Sequence, residues 1–318
     1  MDIRLPLVER SGGGIYYRPP AGRVLPSAAH LRGVFSVFSP ERGRDIWLIL
    51  REETQKRAQA EPVLASMFHG SVLSHDSFST SLSHILANLL QHTMLPAVPL
   101  CQLIEDAYGD SPDLALIACE DLQAARAGDP ACRHYSTPLL FYKGYHALQG
   151  HRIANWLWRR ERHSIALYLQ GRISQVLNVD IHPAARIGSG VFIDHGSGVV
   201  IGETCVVEDH VMLYQGVTLG GTGKEQGDRH PKVRHGALVA SGAKVLGNVE
   251  IGRRAKVAAG SVVLSDVAEG VTVAGVPARE VGQGAENRDI ARWAERMNCC
   301  ELMSLNRSDS DNTIIKEG

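Results

Sequence analysis

Aliphatic residues return every six positions through the second half of the chain: Ile181, Ile187, Ile193, then Ile201, Val207, Leu213, Leu219, then Val233, Val239, Val245, Ile251, Val257 and Val263. Four places after each stands a compact residue, among them Ala185, Val191, Ser197, Cys205, Val211, Val217, Gly223, Ala237, Ala243 and Ser261. A period of six in two registers marks a parallel β-helix, in which each coil buries its aliphatics on those of the next. An α-helix would bring apolar residues back at three and four, and a sandwich would show turn signals every ~8 to 12 residues. The pattern predicts a left-handed parallel β-helix, three hexads to the coil, over residues 179–278.

The repeat is interrupted twice. Ile193 and Ile201 are eight apart, so Val199-Val200 read as two extra residues. Leu219 and Val233 are fourteen apart, and Gly220-Gly221-Thr222-Gly223-Lys224-Glu225-Gln226-Gly227-Asp228-Arg229-His230-Pro231-Lys232 between them is rich in glycine and charge. This stretch is predicted to leave the coil as an excursion loop, and loops on a rigid scaffold are where chemistry is usually placed.

Upstream the period changes. Leu82, Ile85, Leu86, Leu89 and Leu90 make one apolar stripe at helical spacing, and Ser111-Pro112-Asp113 reads as N-cap, first-turn proline and first-turn acid of a helix ending near Gly128. Further helical stretches from Leu139 to Arg160 and from Ser164 to Val176 lead into the first hexad. Residues 44–178 are thus predicted to form an all-helical domain, which makes the chain α+β. Residues 1–43, with Gly12-Gly13-Gly14 and Pro19-Pro20, read as a loosely ordered extension. Residues 279–318 read as a C-terminal segment with a short helix near Arg288 to Met297 and a polar, partly disordered end.

Composition narrows the function classes. The 318 residues are 44% hydrophobic and 21% charged with a formal net charge of -1, so no bulk attraction to nucleic acid or an anionic membrane is expected. No apolar run approaches the ~20 residues that span a bilayer, and Met1-Asp2-Ile3-Arg4-Leu5-Pro6 lacks the form of a secretory signal, so a cytoplasmic protein is expected. Cys101, Cys119, Cys132, Cys205, Cys299 and Cys300 include no C-x-x-C pair and read as reduced thiols, with Cys205 a core corner residue.

His195 occupies neither the inward aliphatic slot nor the compact corner slot, and lies in Asp194-His195-Gly196-Ser197-Gly198. A lone histidine is more often an ordinary surface residue. Here a neighbouring carboxylate and two glycines that allow close backbone approach favour a general base. Asp180 precedes it by fifteen residues in a coil of eighteen, hence about one coil away with strands ~4.8 Å apart, where a carboxylate could hold the imidazole tautomer. Arg229-His230, beside Pro231 and Lys232, forms a compact cationic group suited to a carboxylate, with a solvated charge run as the bland alternative.

Two other motif readings fail. A phosphate loop needs glycine where Thr218 stands and Ser or Thr where Glu225 stands, and a dinucleotide fingerprint meets Gln226 in place of its third glycine. A zinc site from His230 and His235 with His195 or His210 would put the cation beside Arg229, so no metal is expected.

At Val179-Asp180-Ile181-His182-Pro183-Ala184-Ala185, Ile193-Asp194-His195-Gly196, Val217-Thr218-Leu219-Gly220-Gly221-Thr222-Gly223-Lys224, Gly227-Asp228-Arg229-His230-Pro231-Lys232 and Ala274-Gly275-Val276-Pro277-Ala278-Arg279, the chain closely resembles serine acetyltransferases. The helical half matches at Asp129-Pro130, Tyr135-Ser136-Thr137-Pro138-Leu139-Leu140, Lys143-Gly144 and His146-Ala147-Leu148-Gln149, so the resemblance runs over about residues 44 to 282. It implies transfer of acetyl from acetyl-CoA, a co-substrate and not a resident cofactor, to the hydroxyl of L-serine, giving O-acetyl-L-serine for cysteine synthesis. By the family pattern His195 is the base and Asp180 its support, Arg229 and His230 hold the serine carboxylate, and Asp129 and Asp194 lie near its ammonium. Gly220, Gly221, Gly223, Lys224, Ala240, Ala259 and Arg279 are the implied CoA contacts. The resemblance also implies a homotrimer or a dimer of trimers and cysteine inhibition at the serine site. Members that dock into O-acetylserine sulfhydrylase end in isoleucine, whereas here Ile314-Ile315 precede Lys316-Glu317-Gly318, which leaves that complex open.

Two readings compete. A hexapeptide acetyltransferase for another hydroxyl or amine would keep His195 and have no use for Asp129 or Arg229 as amino-acid clamps. A non-catalytic assembly subunit would tolerate the loss of His195.

Overall fold

The stripe of Leu82, Leu86 and Leu90 is buried along one side of a helix over Phe78–Leu90, whose first turn is closed by Ser77 Oγ accepting from the Thr80 amide at 3.2 Å. A computed structural model describes residues 40–283 of the chain. The extension, the helix predicted near Arg288 to Met297 and the polar end lie outside the described residues.

Among the described residues eight α-helices come first: α1 (Pro40–Ala60), α2 (Ala65–Phe68), α3 (Phe78–Leu90), α4 (Ala97–Asp110), α5 (Asp113–Gly128), α6 (Ser136–Phe141), α7 (Lys143–Trp158) and α8 (His163–Leu177). The expected capping at Ser111 is not observed. Pro112 holds the N-cap position of α5 and the Ser111 hydroxyl donates instead to Asp110 Oδ2 at 3.3 Å. The stretch predicted to run from Leu139 is also two helices, because Tyr142 adopts ψ 108° and interrupts the helical path between α6 and α7. Helix α7 is buried almost all round, which Gly144, Ala147, Gly150 and Ala154 permit by letting neighbouring elements approach closely. No helix among the described residues is long and apolar enough to cross a membrane.

The hexads form short strands that wind through three parallel sheets. The first coil contributes β1 (Val179–Ile181), β2 (Arg186–Ile187) and β3 (Phe192–Asp194); the second β4 (Val199–Ile201), β5 (Val206–Val207) and β6 (Met212–Tyr214); the third β7 (Thr218–Gly220), β8 (Lys232–Val233) and β9 (Leu238–Val239). Then come β10 (Lys244–Leu246), β11 (Glu250–Ile251) and β12 (Lys256–Val257), β13 (Val262–Val263), β14 (Val271–Gly275) and β15 (Ala278–Gln283). One face of the prism is β1-β4-β7-β10-β13, the second β2-β5-β8-β11, and the third β3-β6-β9-β12-β14-β15. Among the strand pairs of the described residues only the last, β14 with β15, is antiparallel, so the chain turns back on itself where the hexad period ends. Ile181, Ile201, Leu219, Val245 and Val263 stack as one buried ladder, with Cys205 at a buried corner. The four described cysteines, Cys101, Cys119, Cys132 and Cys205, are free thiols.

The first interruption is not at Val199-Val200. Both residues belong to β4, where Val199 pairs with Val179 and Val200 with Asp180. Asp194 pairs with Tyr214, and the Ser197 carbonyl accepts from the Gly216 amide as the Gln215 carbonyl does from the Gly242 amide, so Ser197 is equivalent to Gln215 and the first coil has His195 and Gly196 where the second has nothing. The extra residues are His195-Gly196, and the buried corner slot assigned to Ser197 belongs to Val199. In the same way Pro231, buried and one coil above Cys205, takes the corner assigned to Gly223, which lies exposed in the excursion.

A buried ion pair ties the helices to the first coil. Asp121 of α5 is fully buried and Arg152 of α7 is 6% exposed; Nη2 and Nε of Arg152 donate to Asp121 Oδ2 at 2.7 and 2.9 Å. Asp121 Oδ1 accepts from the Val191 amide at 3.0 Å, and Arg152 donates to the carbonyls of Ile187 and Gly188 at 3.2 and 2.7 Å. A second tie is steric: a Cβ at Gly144 would fall on the Ile193 carbonyl. Gly144→Ala should therefore overpack this contact and destabilise the protein by about 1–3 kcal/mol, seen as a lower urea midpoint. An unchanged midpoint would show that α7 is free to move off the coil.

Candidate functional site

Insertion of two residues at one corner explains why His195 leaves the core. Its side chain is 71% exposed, and its backbone is left-handed at φ 58°, followed by Gly196 at φ 73° and Gly198 at φ 74°. A non-glycine residue in that region costs roughly 1–2 kcal/mol, so the surroundings must hold it there. Gly196 donates to the Asp194 carbonyl at 2.6 Å, and Gly198 to the Asn178 carbonyl at 2.7 Å.

Asp129, the C-cap residue of α5, approaches this corner from the helical half. Its Oδ2 accepts from the Tyr142 hydroxyl and its Oδ1 from the Ala131 amide at 2.7 Å. Asp194, 18% exposed, lies 3.9 Å from His195 Nε2 through Oδ2. Burial pushes the Asp194 carboxyl up, the His195 ring pulls it down, and the charge of Asp129 pushes it up again. Burial and the same two carboxylates also raise the Tyr214 hydroxyl. Two carboxylates close enough to repel, one of them half-buried, make a receptor for an ammonium group, whose charge would relieve the repulsion.

Asp180 is the outward-facing residue of β1, and its Oδ1 accepts from Gln170 Nε2 of α8 at 2.7 Å. Among the described residues no hydrogen bond or ion pair joins Asp180 to His195.

Arg229 and His230 sit at a different edge of the prism, where β7 turns through the excursion into β8. His230 is 7% exposed, with its ring lying over Gly202 of the preceding coil, where a Cβ would occupy the imidazole. Its Nδ1 accepts from the Thr204 amide at 3.2 Å and lies 2.9 Å from Thr204 Oγ1, which leaves Nε2 to carry the proton of the neutral ring. Burial, then the Arg229 charge, hold its pKa below the ordinary value, favouring that neutral form. The Arg229 guanidinium donates to Glu203 Oε2 at 2.7 Å and to the Gly227 carbonyl at 3.1 Å, and it lowers the Glu203 carboxyl. A guanidinium beside an imidazole N–H is a receptor for a carboxylate.

The other predicted positions divide between the same two edges. Gly220, Gly221, Gly223 and Lys224 follow β7 into the excursion, with Gly221 beside His230 and Gly223 at φ 75°. Ala240 and Ala259 lie on the turns after β9 and β12, along the His195 edge, and Arg279 is exposed on β15. One chain thus brings Asp129, Asp194 and His195 together, and separately Arg229 and His230. His210 and His235 stack edge to face at 5.2 Å, and among the described residues no group of His, Cys, Asp or Glu is arranged to hold a metal ion.

The family model for the N-terminal part of serine acetyltransferase matches residues 46–150. The serine acetyltransferase of Haemophilus influenzae is 52% identical over 239 residues, which is 75% of this chain and 90% of that protein. The chain belongs to the serine acetyltransferase family. A solved family member in complex with CoA is 51% identical, with a TM-score of 0.73 over 75% of this chain and all of that one. Another, in complex with cysteine, is 52% identical, with a TM-score of 0.75 over 76% and 100%. Helical half followed by parallel β-helix is the family architecture.

Thr204, Glu203 and Tyr142 carry no motif in the sequence that marks them as site residues, and Lys143 enters it only within the Lys143-Gly144 match. Thr204 takes part only because the excursion folds back onto the previous coil. Counting one coil back from His230, with the eight extra residues removed, reaches it.

Proposed function

We propose that the protein transfers acetyl from acetyl-CoA to the hydroxyl of L-serine, giving O-acetyl-L-serine and CoA. The observation that carries this reading is the corner where an extruded imidazole stands beside two mutually repelling carboxylates in a chain of this family. The solved relatives named for CoA and for cysteine support a thioester donor and an amino-acid acceptor.

In this reading Asp129 and Asp194 take the serine ammonium, and His195 accepts the hydroxyl proton as the oxygen attacks the thioester carbonyl. The tetrahedral intermediate expels the CoA sulfur, which leaves as the thiol with the proton His195 received. Asp180, fixed by Gln170, is assigned to steady the imidazolium from the adjacent face. Arg229 and His230 Nε2 take the serine carboxylate. Gly220, Gly221, Gly223, Lys224, Ala240, Ala259 and Arg279 are assigned to CoA along the same edges.

A free amino acid is too short to bridge two edges of one prism. We infer that the cationic pair is supplied to the His195 corner by a neighbouring copy, so that a trimer is the smallest active unit. Exposed aliphatics on the outside of the prism, Leu264 and Val200, fit such a contact.

Thiol release from acetyl-CoA, followed with L-serine and with a panel of sugars and amines, tests the reading; release that does not depend on serine would sink it. Arg229→Gln should raise the serine KM by about 10- to 100-fold, as expected for loss of about 1.5–3 kcal/mol from a charged hydrogen bond, with the acetyl-CoA KM little changed. A dominant effect on acetyl-CoA would move Arg229 to the other substrate.

A further inference from the structure

We propose that Lys143 positions the imidazole of His195, acting through the hydroxyl of Ser197; this rests on reading His195 as the base. Lys143 is the first residue of α7, and its ammonium donates to Ser197 Oγ, its one hydrogen bond among the described residues. Ser197 is the first residue after the His195-Gly196 insertion, at the point where the chain rejoins the coil.

The rest of the turn is held by its own backbone and by the Asp194 carboxylate, which accepts from the His195 amide. Gly196 bonds to Asp194, Gly198 to Asn178, and the Gly216 amide at 2.8 Å to the Ser197 carbonyl. These bonds fix the roots of the insertion. Within the insertion the Gly196 carbonyl accepts from the Val199 amide at 3.1 Å, and the Cα of Gly144 lies 3.1 Å from the position a Cβ on Gly196 would take, while among the described residues no bond from outside the turn reaches His195 itself. Lys143 is the only side chain outside residues 194–198 that hydrogen-bonds within the turn among the described residues. It comes from the same helical start that abuts Ile193, so helix and turn move together. With a left-handed histidine to be kept in place, a charge-assisted bond at the hinge selects one setting of the ring. No hydrogen bond or ion pair links Lys143 to Asp129 or Asp194 among the described residues, so its action runs through Ser197 and not through the carboxylate pair.

The test is a double-mutant cycle on the full chain, with kcat and both KM values measured. A misplacement of about 1 Å can cost up to ~100-fold in rate, so Lys143→Met and Ser197→Ala should each lower kcat by about tenfold and leave the acetyl-CoA KM unchanged. The double variant should lose no more than either single one. Lys143→Arg should recover kcat to within about threefold, because it restores a donor to the same hydroxyl. Circular dichroism and native mass would check folding and assembly, and Ser197→Ala, which removes one oxygen, probes the same bond if Lys143→Met fails to fold. Single variants at wild-type kcat, or losses that multiply to about a hundredfold, would overturn the proposal. A wild type inactive with serine, or a His195→Ala variant at full rate, would instead overturn the reading of the base.

Discussion

His195→Ala is expected to lower kcat for serine acetylation by about 10²- to 10⁴-fold, the contribution a positioned base typically makes. The serine KM should move far less, because Asp129 and Asp194 remain to take the ammonium. The variant should keep about the wild-type urea midpoint, since the lost side chain is 71% exposed and alanine at φ 58° is strained much as histidine is. His195→Gly should be at least as stable, as glycine adopts that conformation freely. A loss of activity accompanied by loss of stability would indicate that the ring holds the turn and does not serve chemistry. Full activity in His195→Ala would remove the base assignment outright. Asp180→Asn gives the companion result: if Asp180 steadies the imidazolium, kcat falls while both KM values hold. If its only partner is Gln170, kcat stays where it was, because the amide still offers Gln170 an oxygen.

The coils were legible because each inward slot must be filled by an aliphatic residue for stacked strands to bury one another, and that demand leaves a period of six. Locating the insertion needed more. Val199 and Val200 are aliphatic like the slots around them, so counting aliphatics shows that two residues are extra and not which two. Corner glycines carry the missing signal. Gly198, Gly216, Gly242 and Gly260 stand at equivalent turns with φ between 68° and 74°, each just before the buried corner residue. Aligning on them puts the surplus at His195-Gly196 and makes the extruded residue and the candidate base the same. The division of the site follows from the same count, since with three hexads to the coil the break after Ile193 falls at the third corner and the excursion after Leu219 at the first, so Asp194 and Arg229 occupy different edges. Motif resemblance groups residues by shared function, and here that grouping spans two edges of one chain. In the helical half, the break at Tyr142 goes with a tertiary contact, its hydroxyl donating to Asp129, whereas the cap expected at Ser111 is lost locally, its hydroxyl being taken by the adjacent Asp110.

The largest stability effect should come from the junction of the two halves. Asp121→Ala strands Arg152, 6% exposed, without a counter-charge and takes away the acceptor of the Gln149 amide and of the Val191 amide. Breaking such a pair on one side costs about 3–5 kcal/mol, a large share of the ~5–15 kcal/mol that holds a typical domain. Urea denaturation should show it directly. Asp121→Asn should cost less, because an amide oxygen can still receive Val191 while the charge of Arg152 stays unmet. Replacing both partners, as Asp121→Leu with Arg152→Met, should recover part of the loss by removing the buried charge. Recovery stays incomplete, since the carbonyls of Ile187 and Gly188 lose their donor. The functional consequence follows from chain geometry: Val191 leads directly into Phe192, Ile193 and Asp194, and α5 runs from Asp121 to its C-cap Asp129. One carboxylate therefore fixes both arms of the proposed ammonium receptor, and Asp121→Asn, where it remains folded, should raise the serine KM more than the acetyl-CoA KM. Equal rises in the two would place the junction's effect on the prism as a whole, and an unchanged urea midpoint in Asp121→Ala would show that Arg152 finds water or another partner in the folded protein.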